Sequence, residues 1–325
     1  MTRTILVTDH MFDDLQVETE LGASADVSVV ERPALTPDEV SAAIEETGAD
    51  VVAVTFAEVS RSVLDAAEHL KAVGRYGIGF DTVDIQAATS NDVTVVNVPS
   101  YSVDEVSTHA FALLLSCARS TVVLDRDIKA GGWDWQVGAP IPRLSESTLG
   151  LIGFGKISRR VAEKAVGFGF EILAYDPYVA EEDMTGYDVA KVELMDLLQR
   201  SDYISVHTPL NEETYHLLGA DEFRMMKDTA VIINTARGAV VNVDELNEAL
   251  DAGEVARAGL DVLPTEPPAS ENRIIAREDV VLTPHAAWYS EASIIELRTT
   301  LFTDLIRILD GEAPINPVNP EHVGS

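Results

Sequence analysis

The sequence predicts an α/β fold built from two doubly wound parallel sheets. Short runs of β-branched and apolar residues alternate with stretches of helical periodicity along almost the whole chain, and this alternation is typical of parallel sheets covered by helices on both faces. The length of 325 residues exceeds one typical domain and suits two. The polar residues that look functional follow directly after predicted strands, at the sheet edge where ligands bind in such folds.

The first domain is predicted over residues 1–100 and is completed by residues 291–325. The run 49–56 is almost entirely apolar, as expected of a strand buried on both faces. A helix begins at Thr36, because a capping threonine is followed by a proline in the first turn. The predicted strands are 4–8, 26–30, 49–56, 71–76 and 93–98, and the predicted helices are 36–47, 60–70 and 84–91.

The second domain is predicted over residues 101–290. A helix at 103–119 carries an apolar stripe, and residues 131–143, with two tryptophans, are predicted as loop. A last helix at 292–309 is predicted to pack back onto the first domain. The predicted strands of the second domain are 149–152, one that ends at 176, 202–207, 230–234, 258–262 and 280–282; the helices between them begin at 156, 194, 221 and 244.

Residues 147–177 have the strand–turn–helix–strand pattern of a dinucleotide site. Residues 153–155 read Gly-Phe-Gly: the first glycine permits the tight turn, and the second lets backbone approach a pyrophosphate at the N-terminus of the helix that follows. Asp176 lies 23 residues after Gly153 and ends the next strand, where a carboxylate binds ribose hydroxyls and repels a 2′-phosphate. This favours NAD over NADP, although the third glycine of the pattern is replaced by Ser158.

Three residues that follow strands of the second domain form a chemical set. Arg237 is a permanent cation that can hold a carboxylate through two hydrogen bonds. His285 follows a strand and a proline, and an ordinary histidine pKa of about 6.5 suits proton exchange at neutral pH. Glu266 is expected to hydrogen-bond the imidazole and raise its pKa by favouring the charged form. Each residue alone is more often solvated or structural, so the prediction depends on their shared position.

A pair of glycines in the first domain predicts a carboxylate site. Residues 75–81 read Arg-Tyr-Gly-Ile-Gly-Phe-Asp and follow a strand. Gly77 and Gly79 expose backbone N–H groups that can bind a carboxylate, and Arg75 adds a positive charge. Alone, the segment is better explained as a glycine turn with a surface arginine; the motifs of the second domain favour the functional interpretation.

The chain is strongly acidic, with a formal net charge of −32 and a pI near 4.3. This charge repels phosphates and argues against nucleic-acid or anionic-membrane partners. Only 6 of the 23 basic residues are lysine. We interpret this composition as adaptation to high salt, and an ordinary acidic protein is the alternative.

The single cysteine, Cys117, lies in an apolar helical run, so we expect no disulfide within the chain and a reducing cytoplasm. We also expect no signal peptide, since the N-terminus lacks a long apolar stretch and a cleavage site. No run reaches the roughly 18 apolar residues of a membrane span, and no metal site is predicted.

Over nearly its whole length the sequence resembles the D-isomer-specific 2-hydroxyacid dehydrogenase family. Several motifs carry the resemblance and keep the order and spacing of the family: RYGIGFD at 75–81, GLIGFGKIS at 150–158, YDP at 175–177, NTARG at 234–238, GLDVLPTEP at 259–267 and TPHAAWYSEAS at 283–293. The last segment, with Trp288 and Tyr289, is most similar to the branch that contains C-terminal-binding proteins. Phosphoglycerate dehydrogenases and glyoxylate or hydroxypyruvate reductases are related branches.

The resemblance implies a flavodoxin-like substrate domain and a Rossmann-like NAD-binding domain, with a cleft between them that closes over the substrate. It implies that Arg237 orients a 2-oxo acid, that His285 is the proton donor in reduction and the acceptor in oxidation, and that Glu266 is its partner. Substrate contacts are implied for Arg75, Ile78, Gly79 and Trp288. Cofactor contacts are implied for Gly153, Phe154, Gly155, Lys156, Ile157, Asp176, His207, Thr208, Pro209, Thr235, Ala236, Arg237, Asp261 and His285. Members of the family are usually homodimers joined through the NAD-binding domain.

The predicted reaction is hydride transfer between NAD(H) and a D-2-hydroxy acid or its 2-oxo acid. Formate oxidation on the same fold is disfavoured. It releases no proton to a base, so it does not require a histidine whose pKa is adjusted by Glu266. Trp288 is expected to make one wall of the substrate site apolar, and no clear basic cluster marks a phosphate. Phosphoglycerate dehydrogenase and an NAD(H)-responsive, protein-binding regulator of the corepressor type are the alternatives. Since the chain ends soon after the 292–309 helix, we expect neither a C-terminal regulatory domain nor a long recruiting tail.

Overall fold

The computed structural model describes residues 3–319. Numbered along the chain, the strands are β1 Arg3–Val7, β2 Val27–Glu31, β3 Val51–Val54, β4 Ala72–Arg75, β5 Thr94–Val96, β6 Thr148–Ile152, β7 Glu171–Tyr175, β8 Ala190–Lys191, β9 Tyr203–Val206, β10 Val231–Asn234, β11 Arg257–Leu260 and β12 Val280–Leu282. The helices are α1 Gln16–Ser24, α2 Pro37–Thr47, α3 Arg61–Ala66, α4 Ile85–Ser90, α5 Val103–Ala118, α6 Thr121–Lys129, α7 Lys156–Val166, α8 Glu181–Thr185, α9 Leu194–Arg200, α10 Ala220–Met225, α11 Val243–Ala252 and α12 Glu291–Leu309.

These elements form two compact units, each with its own parallel sheet. The first unit contains the residues up to Tyr101 together with those from Ser290 on, and the second contains Ser102–Tyr289. The first sheet has the strand order β2-β1-β3-β4-β5, which is the flavodoxin-like order. The second has the order β12-β11-β10-β9-β6-β7-β8, the dinucleotide-binding order with one further strand. The predicted α/β fold with two parallel sheets is confirmed.

In the first unit, α12 packs on the sheet. A Cβ added to Gly74, on β4, would lie 2.9 Å from a methyl group of Leu305, so the small residue lets helix and strand approach closely. The strands β1, β3 and β4 are buried on both faces and supply core residues such as Leu6, Val52 and Val73. Leu301, Phe302 and Leu305 of the C-terminal helix are fully buried, so this helix is part of the core of the unit.

In the second unit, the order in which the chain adds strands reverses between β6 and β9, and this switch point positions the site. Chain order runs outward from β6 through β7 and β8 on one side, and from β9 through β12 on the other. The turn after β6 and the loop after β9 therefore leave the sheet as neighbours, at the position where ligands bind in such folds. Apolar clusters cover both faces of the sheet and hold these strand ends in place.

Three helices and one strand of the structure have no counterpart in the prediction, namely α1, α6, α8 and β8. Neither α1 nor α6 begins with a side-chain cap: Leu15 precedes α1, and Ser120, in the left-handed conformation, precedes α6. The helix predicted at 60–70 ends at Ala66. The predicted loop at 131–143 is largely irregular, with one 3₁₀ turn at Trp135–Gly138.

Within residues 3–319, no single helix is long and apolar enough to cross a membrane. The helices α5 and α6 together have the necessary length and apolar composition, but they meet at a bend of 60°.

Candidate active site

The turn after β6 brings two loops of the sheet into contact at the switch point. Gly153 has a φ of +86°, and a Cβ at this position would lie 2.9 Å from the carbonyl oxygen of His207. Only glycine therefore fits here without displacing the loop after β9. Gly155 precedes α7, and a Cβ added to it would meet no atom within 4 Å. The N-terminus of α7 thus faces open space, as a helix that binds a phosphate requires.

The acidic residue at the end of β7 closes this turn. Asp176 Oδ2 accepts the N–H of Phe154 at 2.8 Å, and Oδ1 accepts the N–H of Tyr178 at 2.8 Å. The Phe154 side chain is fully buried in the core, so only its backbone belongs to the turn. Asp176 is half-buried, and each of its oxygens keeps a second lone pair for a ribose hydroxyl.

The first turn of α7 shows how the missing third glycine is accommodated. Ser158 is fully buried, and its hydroxyl has no hydrogen-bond partner among the described residues. Lys156 is exposed and Ile157 is half-buried, so both are accessible next to the glycine turn. The substitution of serine for glycine leaves the turn itself intact.

The loop after β9 carries a neutral histidine. Burial of its ring lowers the pKa of His207 to about 4, and its Nε2 lies 2.8 Å from Ser205 Oγ. At neutral pH this ring therefore brings no positive charge to a pyrophosphate, and the backbone carbonyl of His207 lies beside Gly153. Thr208 is half-buried and Pro209 is exposed on the same loop.

The turn after β10 is fixed by a residue that the sequence analysis did not single out. Asn234 is buried; its Oδ1 accepts the N–H of Ala236 at 2.9 Å, and its Nδ2 donates to the carbonyl of Arg237 at 2.9 Å. Thr235 is buried, and its hydroxyl has no hydrogen-bond partner in the described part of the chain. A Cβ at Gly238 would lie 2.0 Å from the Leu263 carbonyl carbon. The arginine turn and the loop after β11 are therefore in direct contact.

The predicted histidine and glutamate are paired in the structure. His285 Nδ1 lies 2.6 Å from Glu266 Oε2, and about a third of each side chain is exposed. Glu266 Oε1 accepts the N–H of Leu263 at 2.9 Å. Burial alone would raise the pKa of Glu266, but the hydrogen bond and charge of His285, the Leu263 N–H and the charge of Arg237 together lower it. Glu266 is therefore ionised at neutral pH and faces the imidazole as a carboxylate.

Asp261, at the end of β11, organises the loop that carries this histidine. Its Oδ1 accepts the Thr283 hydroxyl at 2.6 Å and the N–H of Ala286 at 2.9 Å, and its Oδ2 accepts the N–H of Ala287 at 2.9 Å. The Asp261 carbonyl accepts the N–H of His285 at 2.8 Å. His285 itself has a φ of +52°, a strained conformation for a residue with a side chain. The carboxylate predicted to face the cofactor thus holds the histidine loop.

In the first unit, the residues after β4 form a compact turn. Gly77 has a φ of +142°, and a Cβ there would lie 1.6 Å from the Arg75 guanidinium, which folds over the glycine. Asn97 Nδ2 donates to the Ile78 carbonyl at 2.6 Å, and the Val98 N–H donates to the Gly77 carbonyl at 3.0 Å. These two bonds pin the turn so that the half-buried Ile78 and Gly79 are held at its outer side.

Cys117 is a free, buried cysteine. Burial raises the pKa of the Cys117 thiol to about 12, so it is neither a nucleophile nor a redox centre at neutral pH. Across residues 3–319, no group of three or more His, Cys, Asp or Glu side chains could hold a metal ion.

These features define a dinucleotide-binding oxidoreductase. A model of the family "D-isomer specific 2-hydroxyacid dehydrogenase, NAD binding domain" matches residues 111–287. A glyoxylate reductase of Korarchaeum cryptofilum is 39% identical over 82% of this chain and 81% of that protein. A hydroxypyruvate reductase of Thermotoga maritima is 38% identical over 91% of this chain and 97% of that protein.

Two further similar proteins have names that indicate other substrates. A D-3-phosphoglycerate dehydrogenase of Methanocaldococcus jannaschii is 35% identical over 98% of this chain but 60% of that longer protein. The crystal structure of D-lactate dehydrogenase from Aquifex aeolicus, complexed with NAD and lactic acid, superposes with a TM-score of 0.85, 26% identity and 99% coverage of both chains.

The chain belongs to the D-isomer specific 2-hydroxyacid dehydrogenase family. It is an NAD-dependent oxidoreductase that transfers a hydride between NAD(H) and a D-2-hydroxy acid or its 2-oxo acid. The glycine cradle fits NAD on structural grounds, because Gly153 admits no Cβ and Gly155 leaves the space before α7 open.

Proposed function

We propose that the chain reduces a small 2-oxo acid with an uncharged side chain, with glyoxylate and hydroxypyruvate as the first candidates, using Arg237, Glu266 and His285 as its catalytic residues. The observation that carries this is the 2.6 Å contact of His285 Nδ1 with an ionised Glu266, on loops that follow neighbouring strands of the NAD-binding sheet. The names of the reductases that this chain resembles support the choice of substrates.

The proposed mechanism follows from which nitrogen of His285 is engaged. Glu266 holds Nδ1, so Nε2 is the nitrogen that donates a proton to the carbonyl oxygen of the substrate. The carboxylate stabilises the protonated ring before the transfer and orients the neutral ring after it. Arg237 holds the substrate carboxylate and offsets negative charge on the carbonyl oxygen. NADH, when bound, supplies the hydride to the carbonyl carbon.

We assign substrate recognition to the first unit and to Trp288. The N–H groups at Ile78 and Gly79, with the Arg75 guanidinium over Gly77, offer donors for a carboxylate. Trp288 is half-buried and packs edge-on against Tyr289 at 5.9 Å, which supports an apolar wall. Arg298, in the first unit, is buried and already contacts Glu18 and Asp14, so it offers no charge to a substrate phosphate. This disfavours phosphoglycerate as the substrate.

The decisive experiment measures NADH oxidation at molar KCl with glyoxylate, hydroxypyruvate, pyruvate and 3-phosphohydroxypyruvate. We expect turnover with the small acids that lack a phosphate and a loss of at least about 10²-fold in kcat for His285→Ala. NADH binding, followed by fluorescence, should be retained in this variant. Activity confined to the phosphorylated acid would contradict the substrate assignment, and unchanged turnover in His285→Ala would contradict the mechanism.

The regulator of the corepressor type differs from this enzyme in one measurable respect. The motif around Trp288 supports placement nearest the branch that contains C-terminal-binding proteins, and we retain that placement as part of the proposal. A regulator of this kind binds NADH tightly without turning over any 2-oxo acid. The same substrate panel therefore distinguishes the two functions.

We propose a homodimer joined through the second unit. Trp133 and Trp135, at 88% and 74% exposure, lie close together in the chain with the exposed Ile128, and apolar surface of this kind is typical of protein interfaces. Light scattering at molar KCl should give twice the mass of the chain, and Trp133→Ser with Trp135→Ser should give the mass of one. A wild-type monomer at micromolar concentration would contradict the proposal.

A salt-rich, reducing cytoplasm is the environment that we propose for this enzyme. The net charge of −32 supports the high salt, and the single, buried cysteine supports the reducing compartment. The dependence of stability on salt, argued in the Discussion, tests the first of these two assignments.

A further inference from the structure

His109, in the middle of α5, faces the loop that carries His285. Its Nε2 lies 2.9 Å from Thr283 Oγ1 and 3.5 Å from Asp261 Oδ1. About a quarter of its side chain is exposed, whereas the Asp261 side chain is fully buried. His109 belongs to none of the motifs that carry the family resemblance, and neither the glycine cradle nor the proton transfer involves it.

The direction of the hydrogen bonds in this group follows from counting protons. The Thr283 hydroxyl has one proton, and it is donated to Asp261 Oδ1 at 2.6 Å. Asp261 Oδ1 is the acceptor of this proton, so the Thr283 oxygen has only its lone pairs left for His109. His109 must therefore carry a proton on Nε2. Donation runs from His109 to Thr283 and from Thr283 to Asp261.

Asp261, the last acceptor in this series of hydrogen bonds, controls the backbone at His285. Asp261 accepts the N–H groups of Ala286 and Ala287 on its carboxylate and the N–H of His285 on its carbonyl. These bonds hold His285 at a φ of +52°, a conformation that a residue with a side chain adopts only when its surroundings impose it. A change in the position of the carboxylate would therefore move the ring that contacts Glu266.

We propose that His109 is a positioning residue for the proton donor His285. By donating Nε2–H to Thr283, it fixes the threonine hydroxyl and with it the Asp261 carboxylate, around which the histidine loop is folded. The inference rests on the proposed role of His285 in proton transfer. It assigns His109 a role distinct from cofactor or substrate contact, since it acts through Thr283 and Asp261.

The test compares two replacements of similar size. His109→Leu removes the donor, whereas His109→Gln keeps an N–H group at a similar reach. We expect His109→Leu to lower kcat for 2-oxo acid reduction by roughly ten- to a hundredfold, the effect of a misplaced catalytic group. The KM of the acid and the Kd of NADH should stay within about twofold of wild type, and His109→Gln should recover most of the lost kcat. Equal losses in the two variants, or a wild-type kcat in His109→Leu, would overturn the proposal.

Thr283→Val provides a second route to the same result. It removes the hydroxyl with little change in volume, and it serves if His109→Leu fails to fold. We expect Thr283→Val to have the same kcat as His109→Leu. The double variant should have a kcat no lower than either single variant, because both substitutions break the same series of hydrogen bonds. Additive losses in the double variant would show two independent effects and would contradict the inference.

A readout that needs no turnover separates this inference from the proposed function. In ¹⁵N-histidine-labelled protein, His109 should show a proton on Nε2, and Thr283→Val should shift the ring resonances of His285. A ring of His109 protonated only on Nδ1, or His285 resonances unaffected by the variant, would overturn the positioning role. If the wild type turns over no 2-oxo acid, the proposed function fails while these resonances still decide the role of His109.

Discussion

Glu266 controls the pH dependence expected of the reaction. Its pKa lies below the ordinary glutamate value, because hydrogen bonds from His285 and Leu263 and the charge of Arg237 outweigh the effect of burial. Reduction needs an ionised Glu266 and a protonated His285. The carboxylate's contribution is therefore complete above the ordinary glutamate pKa and is lost only as the pH falls through the lowered one. We expect the acid limb of the kcat profile below about pH 4.5.

In Glu266→Gln, this charge is absent. We expect the acid limb to disappear and kcat at pH 7 to fall by roughly a hundredfold. Stopped-flow NADH oxidation across the pH range measures both. Glu271→Gln removes an exposed carboxylate five residues away and should leave the profile unchanged. An acid limb that persists in Glu266→Gln would show that the Glu266 carboxylate does not govern proton transfer.

Asp261 shows where prediction from sequence stops at the residue scale. Its position at the end of β11 predicts a polar group near the cofactor, and the same position also lets its carboxylate reach the N–H groups of Ala286 and Ala287. Whether the carboxylate faces the cofactor or binds these N–H groups depends on how the loop after β12 bends. Glu266 and His285 could be predicted to meet, because they follow adjacent parallel strands. The contributions of Asn234 and His109 depend on tertiary contacts that the spacing of residues does not encode.

At the scale of elements, a buried ion pair joins α1 to α12. Arg298 Nε lies 2.9 Å from Glu18 Oε1, and Glu18 is fully buried. Tyr76, the first residue after β4 and the neighbour of Arg75, donates its hydroxyl to the same glutamate at 3.2 Å. Burial and the neighbouring Glu18 charge raise the pKa of Tyr76 well above 10, so this hydroxyl keeps its proton. The pair thus connects two helices with the proposed substrate turn.

Glu18→Gln should lower the free energy of unfolding by about 3 kcal/mol, because Arg298 would remain buried without a counter-charge. Urea titration at constant molar KCl measures this change. Because Tyr76 adjoins Arg75, we also expect a higher KM for the 2-oxo acid and an unchanged Kd for NADH. Asp14→Asn is the matched control, since Asp14 contacts the same arginine at 3.3 Å but is mostly exposed, and it should change stability little. Equal effects of the two variants would contradict this interpretation.

The helices show which parts of the fold the sequence could predict. α2 starts with a threonine that forms a capping box with Glu39 and ends at Gly48 in the left-handed conformation, and both signals are visible in the sequence. α1 and α6 lack such caps and are stabilised by packing instead: α1 lies against α12, and α6 against α5 and the 3₁₀ turn at Trp135–Gly138. Tertiary packing of this kind leaves no local signal in the sequence, so the sequence does not predict these two helices.

For the molecule as a whole, the net charge of −32 opposes folding unless salt screens it. Compact folding brings the acidic groups closer together than they are in the unfolded chain. The ion pairs of the surface, such as Arg273 with Glu248 and Asp251, offset this repulsion only locally. The Debye length falls from about 30 Å at 0.01 M salt to about 3 Å at 1 M, so repulsion across the surface is strong in dilute buffer and nearly absent at molar salt.

We therefore expect the melting temperature to rise by at least several degrees between 0.01 M and 1 M KCl, since 1 kcal/mol corresponds to roughly 2–4 °C for a domain of this size. A melting curve that is the same at both concentrations would contradict salt adaptation. A charge-reduced variant distinguishes screening from a general effect of salt on apolar burial. Glutamine at four exposed glutamates, Glu45, Glu68, Glu212 and Glu296, changes the net charge from −32 to −28. Screening predicts a smaller dependence on KCl for this variant, whereas strengthened apolar burial predicts the same dependence as in the wild type.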